Sequence, residues 1–323
     1  MRLIARIAIF GILIVGAIGQ ALAQDYPRRP IRLLVPFLAG GPSDILARVI
    51  AQKMSENWGQ QVLVDNRPGA NTLIAAEAVA KAAPDGYTIL MAIDSTLVMN
   101  QGLYNKLPYD PIKDFAPITV AAWSAIIIAV DAAKGPKSIQ ELIQQAKASP
   151  GKVTYATATI TTQLGVELMK KAAGVSMVHV PYKGSAGNLQ ALLGGEVNFV
   201  FDGVTPYVPY IRSGKLRVLA NVSSRPISAL PDAPRLSDVP GFSGFDVVVW
   251  LGLVAPAGTP ADIVSKLHQE VVRIYTLPDA REKLQAAGLD PAASASPAEF
   301  AAFINREVGR WAGVIKESGI RFD

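Results

Sequence analysis

Apolar positions along this chain follow two rhythms: short near-continuous runs of strand length, and longer stretches repeating every three to four residues. The first run is Ile31-Arg32-Leu33-Leu34-Val35-Pro36, which reads as a buried strand. Ile45, Leu46, Val49, Ile50 and Met54 then recur at helical spacing, and Gly59 predicts the helix end. A second strand is expected over 62–65, followed by Arg67-Pro68-Gly69 and an alanine-rich helix to Ala83. Pro84-Asp85-Gly86 predicts a turn before a third strand over 87–93. The middle of the chain repeats this order. Strands are expected over 153–156, 177–180, 197–201 and 216–222, with helices over 162–173 and 187–193. Such alternation predicts an α/β fold.

Some helix starts are legible. Ser138 with Glu141 three positions on predicts a capping box. Thr259-Pro260-Ala261-Asp262 and Ser296-Pro297-Ala298-Glu299 each set an N-cap residue before proline, with an acid in the first turn. Two apolar crossings, 118–130 and 247–254, frame the middle block. About 300 residues beyond an export signal exceed what one core usually supports. The simplest topology is one domain inserted into another: residues 25–122 plus 250–323 as the first, 123–249 as the second. With 50% hydrophobic residues, the 27 glycines and 23 prolines predict short connections rather than disorder.

The N-terminus adds a compartment. Arg2 and Arg6 precede an apolar run over 7–18, and Gln20-Ala21-Leu22-Ala23 carries the small-x-small pattern of a signal peptidase site. That run is short of the roughly 20 residues a membrane span needs. Residues 1–24 are therefore expected to be a cleaved signal peptide and the protein periplasmic. An uncleaved anchor is the alternative reading. The absence of cysteine excludes disulfides, thiol catalysis, Cys-ligated metals and a lipidated cysteine anchor. The net charge is +5, and losing a signal with two arginines and no acid leaves +3. Basic residues are scattered without aromatic interleaving, which argues against nucleic acid as a partner. A weak positive field favours anionic ligands.

Catalytic patterns are lacking. No G-x-x-x-x-G-K-[ST], G-x-G-x-x-G or G-x-S-x-G motif occurs; Lys183-Gly184-Ser185-Ala186-Gly187 has lysine where the last of these needs glycine. The two histidines, His179 and His268, have no second ligand at metal-binding spacing, so neither a metal nor a cofactor is expected. Glycine-rich turns after strand ends are the informative feature. Gly40-Gly41 precedes a helix opening with Pro42, Ser43 and Asp44, and Gly184-Ser185-Ala186-Gly187 precedes a second helix start. Amides exposed at a helix start bind anions. Two such starts, one per domain, would form a carboxylate cleft; ordinary turn chemistry is the competing explanation of the same glycines.

Together these segments resemble a known family. Tyr26-Pro27, Pro30-Ile31-Arg32-Leu33 and Val35-Pro36-Phe37-x-Ala39-Gly40-Gly41-x-x-Asp44-x-x-Ala47-Arg48 resemble the opening of the tripartite tricarboxylate transporter receptors, or Bug proteins. Asn66-Arg67-Pro68-Gly69-Ala70, Val180-Pro181-Tyr182-Lys183-Gly184, Phe201-Asp202 and Ala255-Pro256-Ala257-Gly258-Thr259-Pro260 continue the resemblance in order. It implies a two-domain type-II periplasmic binding fold with the ligand cleft between the domains. It also implies a receptor, not an enzyme, that takes up a small carboxylate, such as a di- or tricarboxylate, amino acid or aromatic acid. Delivery to two integral-membrane permease subunits follows, with the receptor expected to be a monomer. A sensor presenting its ligand to a signalling receptor is the alternative.

The candidate ligand-binding residues are Phe37, Ala39, Gly40, Gly41, Ser43 and Asp44 after the first strand, with Asp94 and Ser95 after the third. In the second domain they are Thr157, Thr159, Thr162, Gln163, Gly184, Ser185, Ala186 and Asp202. Two departures from the family pattern stand out: Asn71-Thr72 where Gly-Gly is frequent, and Gln163 where a histidine often falls. The hydroxyls of 157–162 either contact ligand or cap the following helix; the residues alone leave both open. Asp44→Asn is expected to be mild if Asp44 serves the helix start. The export reading has a direct check: intact-mass analysis of the periplasmic protein should give an N-terminus at Gln24 or Asp25. Retention of residues 1–23 would overturn it.

Overall fold

The computed structural model describes residues 26–322, so the export segment expected over 1–24 lies outside the described residues. The chain opens with β1 (Ile31–Val35), α1 (Pro42–Trp58), β2 (Val62–Asn66), α2 (Leu73–Ala80), β3 (Thr88–Ile93), α3 (Asn100–Leu103) and β4 (Phe115–Ser124). It then enters a second sheet through β5 (Ile126–Asp131), α4 (Ile139–Ala148), β6 (Thr154–Ala156) and α5 (Ile160–Ala173). That part continues through β7 (Val178–His179), α6 (Gly184–Gly194), β8 (Phe199–Gly203), α7 (Val208–Arg212) and β9 (Leu216–Asn221). The return brings β10 (Val249–Pro256), α8 (Ala261–Ile274), α9 (Pro278–Ala286), β11 (Leu289–Pro291) and the long α10 (Pro297–Ser318). The six-stranded sheet has the order β11-β4-β10-β3-β1-β2 and the five-stranded sheet the order β7-β6-β8-β5-β9.

The near-continuous apolar runs have a simple cause. On β1, Leu33 and Val35 pack with Leu46, Val49, Ile50 and Met54 of α1, while Leu34 packs with Ala75, Ala76 and Val79 of α2. Both faces are covered, as parallel β1–β2 and β1–β3 pairing requires. One hydrophobic cluster runs through both sheets, joining Tyr155 and Phe201 to Trp250 and Phe300.

Local punctuation acts where its partners are local. Gly59 ends α1 in the left-handed conformation, and the Ser138 and Ser296 hydroxyls accept from the Glu141 and Glu299 amides. Several expectations need correction. The apolar run 118–130 is two strands in two sheets, parted at Ala125. The alanine-rich helix stops at Ala80, and a tight turn, Ala70–Thr72, precedes it. Thr259 caps nothing: its hydroxyl donates to the Pro256 carbonyl at 2.7 Å, and α8 starts after Pro260 without a side-chain cap. The helix expected over 187–193 begins three residues earlier, at Gly184.

The Asn71-Thr72 departure falls on unusual backbone. Ala70, Asn71 and Thr72 have φ of 45°, 48° and 79°, a region that costs an L-residue about 1–2 kcal/mol and that glycine enters freely. Hydrogen bonds hold the turn: Asn100 Nδ2 donates to the Asn71 carbonyl at 3.1 Å, and Thr96 Oγ1 to Thr72 Oγ1 at 2.8 Å. Asn71 Nδ2 donates to the Tyr104 hydroxyl at 2.8 Å. Ala70 is exposed. Ala70→Gly should therefore stabilise the protein by about 0.5–1 kcal/mol, relief of strain outweighing the extra freedom of the unfolded chain. Thr72→Gly should instead lose the Thr96 bond and gain less. Thermal unfolding of both checks this; a lower melting temperature for Ala70→Gly would show the turn to be unstrained.

Candidate functional site

Four connections at strand ends, after β1, β3, β6 and β7, carry the candidate residues, with Asp202 inside β8. Between β1 and α1 the chain turns through Gly40, whose φ of +89° favours glycine, and Gly41, at φ −85° and ψ 175°, which any residue adopts. Gly41 is the N-cap position of α1, and no side chain caps the helix. The first intrahelical bond is from the Ile45 amide to the Gly41 carbonyl, at 3.0 Å. Ser43 and Asp44 stand ahead of it, with Pro42 contributing no amide hydrogen.

Asp44 organises this loop. Its buried carboxylate accepts from the Gly40 amide and Arg48 Nε at 2.9 Å each and from Asn66 Nδ2 at 3.0 Å. Asn66 Nδ2 also donates to the Phe37 carbonyl at 3.0 Å, which ties the front of the loop to β2. Burial raises the Asp44 pKa, but donation from Arg48, Gly40 and Asn66 outweighs it and leaves the carboxyl below its ordinary value. The Gly40 amide is thus directed at Asp44. The expectation that Asn could replace Asp44 mildly changes too, because three donors converge on its two oxygens.

At the end of β3, Asp94 is buried and leads into the single wide turn Ser95–Met99. Its Oδ1 accepts from the Ser95 amide at 2.7 Å, while Oδ2 accepts no hydrogen bond of good geometry, the nearby Thr161 hydroxyl pointing instead to Met99 Sδ at 3.5 Å. Burial pushes the Asp94 pKa up to about 7; the Thr161 hydroxyl and Ser95 amide pull it down, and Glu307 of α10 adds to the rise.

In the second sheet the candidates are mostly engaged with one another. Asp202, on β8, accepts from Ser185 Oγ at 3.1 Å, Asn188 Nδ2 at 2.8 Å, the Gly203 amide at 2.7 Å and the Tyr207 hydroxyl at 2.8 Å. Burial still raises its pKa to about 6 against those four donors. Gly184 and Ala186 flank Ser185 in the first turn of α6. Thr159 and Thr162 form a reciprocal capping box at the start of α5, so both hydroxyls serve the helix. Thr157 Oγ1 lies 2.9 Å from His179 Nε2, and the backbone N–H of Gln163 donates to the Thr159 carbonyl at 3.0 Å. His268 is placed elsewhere, against the Ser294 carbonyl. Among the described residues, no cluster of three or more His, Asp or Glu is arranged to hold a metal, and no helix is long and apolar enough to cross a membrane.

The sheets bring two of these loops face to face. A Cβ at Gly203 would stand 3.2 Å from Ser124 Oγ and 3.9 Å from Pro42 Cγ, so the end of β8, the end of β4 and the start of α1 converge. Thr161 Oγ1 reaches Met99 Sδ at 3.5 Å, joining the start of α5 to the turn after Asp94. Of the groups at these junctions, sequence reasoning covered Thr161 among the hydroxyls of 157–162 but left Ser124 and Trp250 out of the candidate residues. For Ser124 a signal was available, a hydroxyl inside the run Trp123-Ser124-Ala125-Ile126.

Asp94 makes the unliganded protein pH-sensitive in a defined direction. Its folded pKa of about 7 lies above its ordinary 3.8. The stability this gives is full below the ordinary value and is lost as pH rises through the folded one. The stability advantage of Asp94→Asn over wild type, read by denaturant unfolding, should therefore grow from about pH 5 to about pH 8, reaching at least about 1 kcal/mol. A difference that is flat or shrinks across that range would contradict the burial argument.

Residues 46–320 match the family described as the tripartite tricarboxylate transporter family receptor. BugT of Bordetella pertussis is 34% identical over 323 residues, 99% of this chain and 98% of BugT. A Rhodopseudomonas palustris protein solved with adipate superposes with a TM-score of 0.87 at 33% identity, covering 92% of this chain and 99% of that one. MatC of the same organism, solved with malate bound, gives 0.82 at 31% identity over 90% of this chain and all of MatC. The two-sheet α/β fold is that of a periplasmic binding protein, and the family is one of receptors rather than enzymes. This chain belongs to the tripartite tricarboxylate transporter receptor family.

Proposed function

We propose that this protein, exported and cleaved to a monomer of the periplasm, captures a small carboxylate and hands it to a permease of two integral-membrane subunits. The cleft lies between a lobe of residues 25–122 plus 250–323 and a lobe of 123–249. Passage of the chain from one sheet to the other at Ala125, and back before Val249, supports that division. The observation that carries the reading is the uncapped start of α1, set on a loop that Asp44 and Asn66 hold in shape, opposite Gly203 of the other sheet. Main-chain amides at such a start hold a carboxylate without a fixed positive side chain. Relatives solved with adipate and malate support the ligand class.

A thermal-shift screen of the mature protein against organic acids tests capture: a ligand at a hundredfold excess over Kd stabilises the folded state by about 2.7 kcal/mol. Gly41→Val then tests the loop. Its backbone suits any residue, and a Cβ there would meet nothing closer than Leu38 O at 4.0 Å. The variant should fold with a melting temperature lowered by only a few degrees, valine being a poorer N-cap than glycine. Its affinity should fall at least about tenfold, or roughly 1.4 kcal/mol, because the branched side chain stands in the approach to the amides. Asp44→Asn should lose both stability and affinity. Titration calorimetry beside circular dichroism reads the two; wild-type affinity in well-folded Gly41→Val would remove this loop from the site.

A further inference from the structure

Buried polar side-chain atoms almost always find partners. Among the described residues, six such atoms are buried with none in the protein: Asp94 Oδ2, Asn100 Oδ1, Ser124 Oγ, Asn188 Oδ1, Thr205 Oγ1 and Trp250 Nε1. Four of the six, on Asp94, Ser124, Thr205 and Trp250, lie where a strand starts or ends near the passage between sheets: after β3, at the end of β4, after β8 and in β10.

Asp94 and Trp250 share a face. β10 runs antiparallel to β3 with Leu251 opposite Ile93, so Asp94 continues β3 beside Trp250. Ala92 and Trp250 belong to the cluster covered by Phe300, whereas Ile93 and Leu251 belong to the cluster on the other face. Asp94 itself has helical backbone, φ −48° and ψ −46°, and the groups that act on its carboxyl, Thr161 of α5 and Glu307 of α10, come from the two helices of the Phe300 cluster. The Trp250 ring packs on Phe300 and Phe303 of α10, centroids 5.6 and 5.3 Å apart. Glu307 of the same helix acts on the Asp94 charge; Glu307 itself has Arg310 at 3.5 Å and Trp311 Nε1 at 3.2 Å. From α5 the group near Asp94 is the neutral Thr161 hydroxyl.

This chemistry discriminates between carboxylates. An acceptor with an acidic neighbour repels a second carboxylate and matches a cation that donates hydrogen bonds. The indole N–H beside it needs an acceptor. We propose that the ligand is an amino carboxylate whose ammonium group binds Asp94 Oδ2, making Asp94 the residue that selects it over plain carboxylic acids. The inference rests on the receptor reading and adds the ligand's second functional group. Asp94 holds its proton more readily than an ordinary aspartate before the ammonium arrives. Pairing with the ammonium ionises the carboxyl, and the proton goes to solvent.

The test is titration calorimetry of the mature protein with pairs that differ only in the amino group: L-glutamate and glutarate, L-aspartate and succinate, 4-aminobutyrate and butyrate, L-phenylalanine and 3-phenylpropanoate. At least one amino member should bind at least about tenfold tighter than its partner, releasing a proton detectable by comparing two buffers. Asp94→Asn and Asp94→Ser should bring that pair to within about threefold while remaining folded. An equal or tighter plain acid in every pair that binds would overturn the proposal, as would an undiminished amino preference in both variants. If no pair binds but other organic acids do, the amino-carboxylate assignment fails and the receptor reading stands. If no organic acid binds, both fail.

Discussion

The antiparallel pairing of β4 with β10 is the constraint on which the rest of the molecule hangs. These strands lie side by side from Phe115 opposite Pro256 to Ser124 opposite Val249, and at that end the chain passes to and from the other sheet. Both crossings are thereby fixed next to one another. Everything proposed for the cleft follows from that coincidence, because Ser124, Trp250 and, through contact, Gly203 and Pro42 are gathered at the same end of the same two strands.

Three buried aspartates near this end show how one residue type is put to different uses. Asp44 receives a guanidinium, an amide hydrogen and an Asn side chain, and stays ionised as the clasp of the β1–α1 loop. Asp202 receives four neutral donors and braces the start of α6 against β8. Asp94 receives its own neighbouring amide and leaves one oxygen unmatched. Burial penalises all three; the donors that reach each carboxylate decide whether it is clasp, brace or contact.

Much of this could be read from the residues, and the limits are physical. β1, the α1 pattern and the Gly59 stop were legible because their determinants are a few residues apart. The break at Ala125 was not, since Ile118, Val120, Ile126 and Ile128 are all fully or nearly fully buried and differ only in which sheet buries them. The start of α6 at Gly184 was hidden by glycines that carry no helix signal. At the candidate site the loop 37–44 was visible from its glycines. Which of its groups are already engaged was not, because Asn66 reaches Asp44 from 22 residues away and Glu307 reaches Asp94 from another helix.

The one-residue joint at Ala125 limits how the halves of the molecule can move. Ser124 and Ile126 are two Cα steps apart, each about 3.8 Å and unable to stretch, and β10 starts beside Ser124 at Val249, so the two sheets are tied most closely at this end. Any rotation of one sheet against the other would pivot here and displace most what lies farthest away. It would change the spacing of Ser124 and Gly203 least. Lys171 and Glu317, paired at 2.7 Å between α5 and α10, would feel it more, Lys171 lying about 15 Å along its helix from Thr161.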